Sequence, residues 1–593
     1  MFGFSRRKRG YRRGRPRMID PGSSVIGSHA RNVADLGSRT PAGGGSSLNP
    51  GVRSGTNGLP RVGVHQHAQY VSPRAHEARA GKRSGRAYQR ARARVILGVI
   101  AVGAVAVVLA IFLLTRPTSL VIVSTPADAT IMLAGSTDAT ATGTLQLTDL
   151  KPGAYRVSVT RTGFAPREAE VELKRGRKNK LAYTLEPLPQ ALTIVSSPEG
   201  AILKITQADG TKLAGSTPYE GSVPAGNITV ELAMPGYNTF KGSYSLDSTL
   251  TLEFFLDPEG QILRSIGTIT TQGAPKGVSV THDGTEAWTS ILNGPPSIQI
   301  FDPRTGKLLG GVDIGEHGAV EVIFNAAGTL AYTSQMETAK CFEIDVATRT
   351  VLREFDTNST WTKWVELSPD EKTLYASNWS GDDVSVIDLE TGQLIKRLGV
   401  SNTPRGMYAT DDGKWLYVAG FDSGDLERIN LATYTRETLF TAGGALRHIV
   451  ADERTGRMYI SDMAKALVWV HDMNTGTTTK FVDVDSHPNT IDLTPDGRML
   501  FVSCRGANNP KSYYLPGPEW GSILVFDAAT GAPLDAVIAG NQPTALDVSD
   551  DGKLLIISDF LDNRLRVYEI PSYETFAAGG GGRFEAHKAE IAK

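Results

Sequence analysis

Three regimes of apolar spacing divide the chain. Val95 to Leu114 is an uncharged run, VILGVIAVGAVAVVLAIFLL, with no polar face. A helix rising 1.5 Å per residue needs about 20 such residues to cross roughly 30 Å of hydrocarbon, so a transmembrane helix is predicted over residues 95–115. The run starts too far from Met1 to be a cleaved secretory signal and is expected to remain as an anchor. From Ser119 the apolar period falls to two, interrupted by Gly and Pro, as in half-buried antiparallel strands. Beyond Asp257 short apolar strands recur in units of about 42–44 residues, which is the spacing of propeller blades.

The middle regime is a tandem repeat. SLVIVSTPADATIML leads to LKPGAYRVSVTRTGF in residues 119–187, and ALTIVSSPEGAILKI leads to VPAGNITVELAMPGY in residues 191–257. In the last regime each unit carries a first turn: Asp283-Gly284, Ala327-Gly328, Asp370-Glu371, Asp412-Gly413, Thr455-Gly456, Asp496-Gly497 and Asp551-Gly552. A later Asp-x-x-x-Gly turn closes several units, at Asp302, Asp388, Asp472 and Asp527, where an Asp side chain can bond the backbone ahead of a left-handed Gly. The last unit stops after three strands, while GQILRSIGTIT (residues 260–270) precedes the first unit as an orphan strand. Pairing the two ends closes a ring and removes the open sheet edges.

Pro198-Glu199-Gly200-Ala201, with Gly226, Gly236 and Tyr237, resembles the PEGA module. The first copy is similar, with Pro126-Ala127-Asp128-Ala129 in place of the signature and Gly153, Tyr155, Gly163 and Phe164 retained. The resemblance implies an envelope spacer or adhesion-type domain. The propeller units resemble the YVTN-type (YncE-like) bacterial propellers through Tyr332-Thr333-Ser334, Tyr375-Ala376-Ser377-Asn378, Tyr459-Ile460-Ser461 and Phe501-Val502-Ser503. The expected fold is all-β: two small β-sandwich (PEGA-like) modules plus a seven-bladed β-propeller, with one N-terminal transmembrane helix. The expected domains are a basic disordered cytoplasmic tail (1–94), the span (95–115), the modules (119–187 and 191–257), the propeller (260–571) and a flexible tail (572–593).

Charge sharpens the topology. Residues 1–94 carry 20 Lys and Arg against 3 Asp and Glu, leaving 42 against 59 in the remainder of a chain with 62 of each. Arg86, Arg90, Arg92 and Arg94 flank the apolar run on one side and Arg116 alone on the other, which places the N-terminus in the cytoplasm and the later domains outside. The two cysteines, Cys341 and Cys504, fall in different blades and match no disulfide, CxxC, CxxCH or zinc spacing.

Aligning the units on their first turns brings Lys276, Val320, Lys363, Arg405, Arg447, Asn489 and Thr544 to one position, at the start of each innermost strand. Four basic residues there, in a region acidic overall, predict an anion-attracting channel mouth. His448, His487 and Trp364 share the rim. The ligand-binding candidates are Lys276, Lys363, Arg405, Arg447, His448 and Asn489. The sixth unit carries an insertion, RGANNPKSYYLPGPEWG, in which Tyr513, Tyr514 and Trp520 form a candidate partner-contact loop.

No nucleophile elbow, Ser/His/Asp motif or P-loop is present, so no catalytic residue is assigned; no metal ligands and no cofactor are expected. The reading is a membrane-anchored envelope binding or scaffold protein. Its expected partners are membrane lipid through residues 95–115, a cell-envelope polymer or envelope protein, and a small anionic ligand. Nucleic acid is not expected as a partner of the outside portion. The alternative is a propeller hydrolase of the lactonase type.

Overall fold

The computed structural model describes residues 83–114 and 116–593, and its described residues fall into two compact units that divide between Glu186 and Pro187. The expectation of a disordered tail falls largely on residues 1–82, outside the described residues.

The first unit opens with a helix, Arg83–Leu114, that starts well ahead of the apolar run. Residues 83–94 were expected to be disordered; their Arg, Ala and Gln content favours helix and lets it continue N-terminally. Val95, Leu97, Val99, Val102 and Val108 are each more than half exposed, and the helix is long and apolar enough to cross a membrane. A sandwich follows. Its three-stranded sheet pairs Ser119–Thr125 with Thr144–Leu147 and, in parallel, with Lys178–Thr184. Its four-stranded sheet holds Ala139–Thr142, Thr130–Ala134, Gly153–Thr160 and Arg167–Leu173. Leu120, Ile122, Ile131, Leu133, Val157 and Val159 fill the space between them.

The second unit repeats that sandwich and adds the propeller. Pro189–Ser197 pairs with Tyr219–Pro224 and, in parallel, with Leu250–Phe255. Opposite lie Lys212–Ser216, Ile202–Thr206, Gly226–Ala233 and Phe240–Leu246, around Ile194, Leu203, Ile205, Val230 and Phe254. This module is docked on the closing blade. Thr268 donates to the Glu253 carbonyl at 2.7 Å, Tyr244 Oη donates to the Ile266 carbonyl at 3.2 Å, and Arg564 pairs with Glu253 at 3.0 Å. The Phe255 ring lies 4.0 Å from the Arg566 guanidinium carbon.

Seven four-stranded sheets follow. Six are built from consecutive strands. The seventh takes its inner three strands, Pro543–Val548, Leu554–Asp559 and Arg564–Glu569, from the chain's end and its outer strand, Arg264–Thr270, from before the first blade. The orphan strand therefore closes the ring as predicted.

Residues 572–593, expected to be a flexible tail, are folded. Ser572 caps a short helix, Tyr573–Ala578, whose Phe576 is fully buried, and a second, His587–Glu590, buries His587. The glycine run read as a linker is a turn: Gly580, Gly581 and Gly582 all have positive φ (63°, 93° and 53°). It returns the chain to Asp535. One oxygen of that carboxylate accepts the Ile262 and Leu263 N–H groups, each at 2.8 Å, and the other accepts the Arg583 N–H at 3.0 Å.

Candidate ligand site in the propeller channel

Repeated backbone geometry sets the aligned position. Two residues before it the chain takes a left-handed conformation in five blades, at Ala274, Trp361, Thr403, His487 and Gln542, with φ between 57° and 65°. Each costs about 1 kcal/mol or more for a residue with a Cβ. The cost is offset by a bond: the carbonyls of these residues accept the N–H groups of Leu292, Trp379, Phe421, Arg505 and Phe560 at 2.8–3.1 Å.

The serine of the aromatic-x-Ser pattern, whose place is taken in blade 7 by Ser558 of Ile556-Ile557-Ser558, then welds blade to blade. Ser290, Ser334, Ser377, Ser461 and Ser558 donate to the carbonyls of Val320, Lys363, Arg405, Asn489 and Lys276 in the next blade, at 2.7–3.3 Å. In four of these blades the same hydroxyl accepts an N–H from its own inner strand: Gly277, Trp364, His448 and Ala545. Blade 4 has Ala419 at this position. In blade 6, Ser503 bonds within its blade while Asn489 Nδ2 and Thr490 Oγ1 reach the Thr544 carbonyl at 2.8 and 2.7 Å. The motif that suggested the family is thus a structural joint that aligns the ring residues.

All the candidate residues are buried: Lys276, Lys363, Arg447, His448 and Asn489 are fully inaccessible and Arg405 is 1% exposed. The expected channel mouth is therefore closed to solvent at these residues. A second set of residues stands two positions past each repeat serine position: Leu292, Met336, Trp379, Phe421, Met463, Arg505 and Phe560. Each cation meets an aromatic face. Lys276 Nζ lies 3.9 Å from the Phe560 centroid and Lys363 Nζ 4.2 Å from that of Trp379. The guanidinium carbons of Arg405 and Arg447 lie 5.5 Å from Trp379 and Phe421. Such contacts are worth up to about 2 kcal/mol each when desolvated. Arg447 also donates to Asn489 Oδ1 and to the Met463 sulfur.

Sequence reading missed this second set and, with it, Arg505, a fifth buried cation that lies 4.4 Å from the Tyr513 ring centroid. The signal was available at a fixed offset from the repeat serine; the aligned turns drew attention only to inner strands.

Below the cations, Trp364 and His448 meet at 4.9 Å between ring centroids. They belong to blades 3 and 5 and pass over Gly406 of blade 4, where a Cβ would come within 2.8 Å of the Arg447 carbonyl oxygen. The Ile491 N–H donates to His448 Nδ1 at 3.2 Å, so that nitrogen is the acceptor. Deeper still, Glu366, Asp492 and Asp547 accept the Ala409, Val548 and Val280 N–H groups of the next blade at 2.8–3.1 Å. Burial, with the Asp492 charge beside it, holds the Asp547 carboxyl well above the usual carboxylate range.

The insertion covers blades 6, 7 and 1. Tyr513 lies 5.8 Å from Phe560 and 5.9 Å from Lys276 Nζ, its carbonyl accepting Gln542 Nε2 at 2.8 Å. Tyr514 is half exposed. Trp520, proposed from the sequence as a partner contact, is turned to the C-terminal segment, with Lys593 Nζ 4.4 Å from its ring centroid. Among the described residues no group of three or more His, Cys, Asp or Glu is placed to hold a metal ion.

Comparison with known proteins fits this architecture. The PEGA domain model matches residues 118–189 and 190–259, and a model described as lactonase, seven-bladed beta-propeller, matches residues 324–438. Antigen Lp49 of Leptospira interrogans is 33% identical over 356 residues, which is 58% of this chain and 77% of that protein. The chain belongs to the family of antigen Lp49. A second relative of this Lp49-family chain, the seven-bladed beta-propeller protein Rv1057 of Mycobacterium tuberculosis, is 32% identical over 145 residues, covering 23% of this chain and 35% of its own. Among solved structures, hydrazine synthase of Kuenenia stuttgartiensis aligns with a TM-score of 0.44 at 16% identity, over 51% of this chain and 97% of that one.

Proposed function

We propose that this protein is a membrane-anchored binding protein whose propeller is presented outside the cytoplasm and takes an anionic ligand in the channel chamber. The observation that carries the reading is a set of five buried cations at the inner ends of the blades, Lys276, Lys363, Arg405, Arg447 and Arg505, each set against an aromatic face. Guanidinium and ammonium groups held in a low-dielectric setting attract carboxylate or phosphate more strongly than the same groups in water. The apolar helix, with Arg86, Arg90, Arg92 and Arg94 on its N-terminal side, supports anchoring with the propeller outside. An envelope polymer bearing carboxylates or phosphates, or an envelope protein, supplies such a ligand.

The test is thermal unfolding of the full chain in detergent with citrate, inorganic phosphate or gluconate, beside a Lys363→Gln/Arg405→Gln variant. At 100 times its dissociation constant a ligand adds about 2.7 kcal/mol and raises the melting temperature visibly. A rise lost in the variant supports the reading; an equal rise in both overturns it.

The second reading, a propeller hydrolase, is favoured by the lactonase family match over blades 2–4, which contains Lys363 and Arg405. Turnover of glucono-δ-lactone that disappears in the same variant replaces binding with catalysis as the function.

A further inference from the structure

Five buried cations raise a question of access, because any ligand must displace part of what covers them. The second set is a poor candidate to move. Trp379, Phe421, Met463, Arg505 and Phe560 follow directly on strands, and each has its N–H bonded to the carbonyl of the residue two before its blade's ring position. The insertion between Cys504 and Ser522 is different in kind. Much of its hydrogen bonding is internal: Ala507 N–H to Glu519 Oε2 at 2.8 Å, Asn509 Nδ2 to the Pro516 carbonyl at 2.8 Å, Tyr514 N–H to Ser512 Oγ at 3.2 Å. A loop bonded to itself moves as a body, as compact surface loops do.

Its base is tied to the far end of the chain. The Trp520 N–H donates to the Ile591 carbonyl at 2.8 Å, the Lys593 N–H to the Pro518 carbonyl at 2.9 Å, and Lys593 Nζ to the Gly517 carbonyl at 3.0 Å. Glu519 and Ala592 form an antiparallel bridge. Residues 591–593 thus act as a short added strand on the loop's base. Upstream, His587 Nε2 meets Asp485 Oδ2 at 2.9 Å, and Asp485 also accepts from Ser522 Oγ, the first residue after the loop, at 2.5 Å.

We propose that residues 507–519 are a lid over the cationic chamber and that residues 591–593 are its latch. The gating half of this rests on the anionic-ligand reading above; the latch half does not. Closed, the lid places Tyr513 against Arg505, Lys276 and Phe560 and excludes water from the cations. Open, it exposes the side of the chamber formed by blades 6, 7 and 1. The three-residue pairing contributes only a few hydrogen bonds, which suits a closure that opens without unfolding the blades.

The test uses the full chain, a variant lacking residues 591–593, and a Glu519→Cys/Ala592→Cys variant in which the bridge is locked by a disulfide, a geometry antiparallel partners permit. Amide exchange needs no ligand. Exchange over residues 507–520 is expected to speed up about tenfold in the shortened protein while the strand Thr373–Asn378 keeps its protection. Unchanged exchange over the loop overturns the latch. Citrate association, followed by intrinsic fluorescence, is expected to slow in the oxidised locked variant and recover on reduction. Equal rates before and after reduction overturn gating. Absence of citrate binding even in the shortened protein overturns the chamber reading, and the exchange result then decides the latch alone.

Discussion

In five of the seven blades a single serine hydroxyl ties the inner strand to the next blade. Ser461 accepts the His448 N–H at 3.1 Å and donates to the Asn489 carbonyl at 2.7 Å, with every partner buried. Ser461→Ala leaves a donor and an acceptor in the interior without this partner, at a cost of about 1–3 kcal/mol. Denaturant melts are expected to show a lowered midpoint with an unchanged slope, since the exposed surface on unfolding is the same. The chemistry of this position was visible in the sequence as an aromatic-x-Ser pattern, but its role was not. A repeated hydroxyl reads equally well as a ligand contact until its acceptor is found to be a neighbouring blade's carbonyl.

At the scale of elements, turns were legible and docking was not. The Asp-Gly and Asp-x-x-x-Gly turns punctuated each blade because their chemistry is local, and the apolar run declared its helix by length. The junction between the second PEGA module and the propeller depends on groups scattered through the chain: Asp257 and Gln261 in the connection, Arg566 and Tyr568 in blade 7, and Arg583 and His587 near the C-terminal end. These line a cavity of about 210 Å³. Asp257 holds the Ser265 N–H and Gln261 Nε2 at 2.8 and 2.7 Å, yet burial raises its carboxyl to about 7. A carboxyl whose folded pKa lies above its unfolded value of 3.8 favours the folded state while protonated. The difference between wild type and Asp257→Asn is therefore expected to change between about pH 4 and pH 7, by up to about 4 kcal/mol, with wild type losing relative stability as pH rises. Unfolding curves of both proteins at pH 5 and pH 8 check this. A difference that is the same at both pH values shows that Asp257 does not titrate in this window. Phe255→Ala tests the same junction mechanically: it removes the ring between Arg564 and Arg566 and is expected to speed proteolysis within residues 256–263.

The whole molecule depends on a contact between residues nearly three hundred positions apart. Arg264–Thr270 pairs with Arg564–Glu569, and Ile269 packs with Val278, Leu565 and Val567 in one core cluster. Without the outer strand, blade 7 keeps three strands and presents an open edge. The ring itself survives only through contacts of the inner strands. This argues for comparing two shortened chains. One starting at residue 259 retains the closing strand and lacks both PEGA modules; one starting at residue 271 lacks the strand as well. The first is expected to melt cooperatively as a monomer, losing the contacts made by Tyr244, Glu253, Phe255 and Asp257. The second is expected to melt at lower temperature and to associate through the exposed edge of Arg564–Glu569. Size-exclusion chromatography and circular dichroism melts separate the outcomes. Equal behaviour of the two places closure in the inner strands. Failure of both makes the docked PEGA module part of the propeller's folding unit, in agreement with the single compact unit formed by Pro187–Lys593.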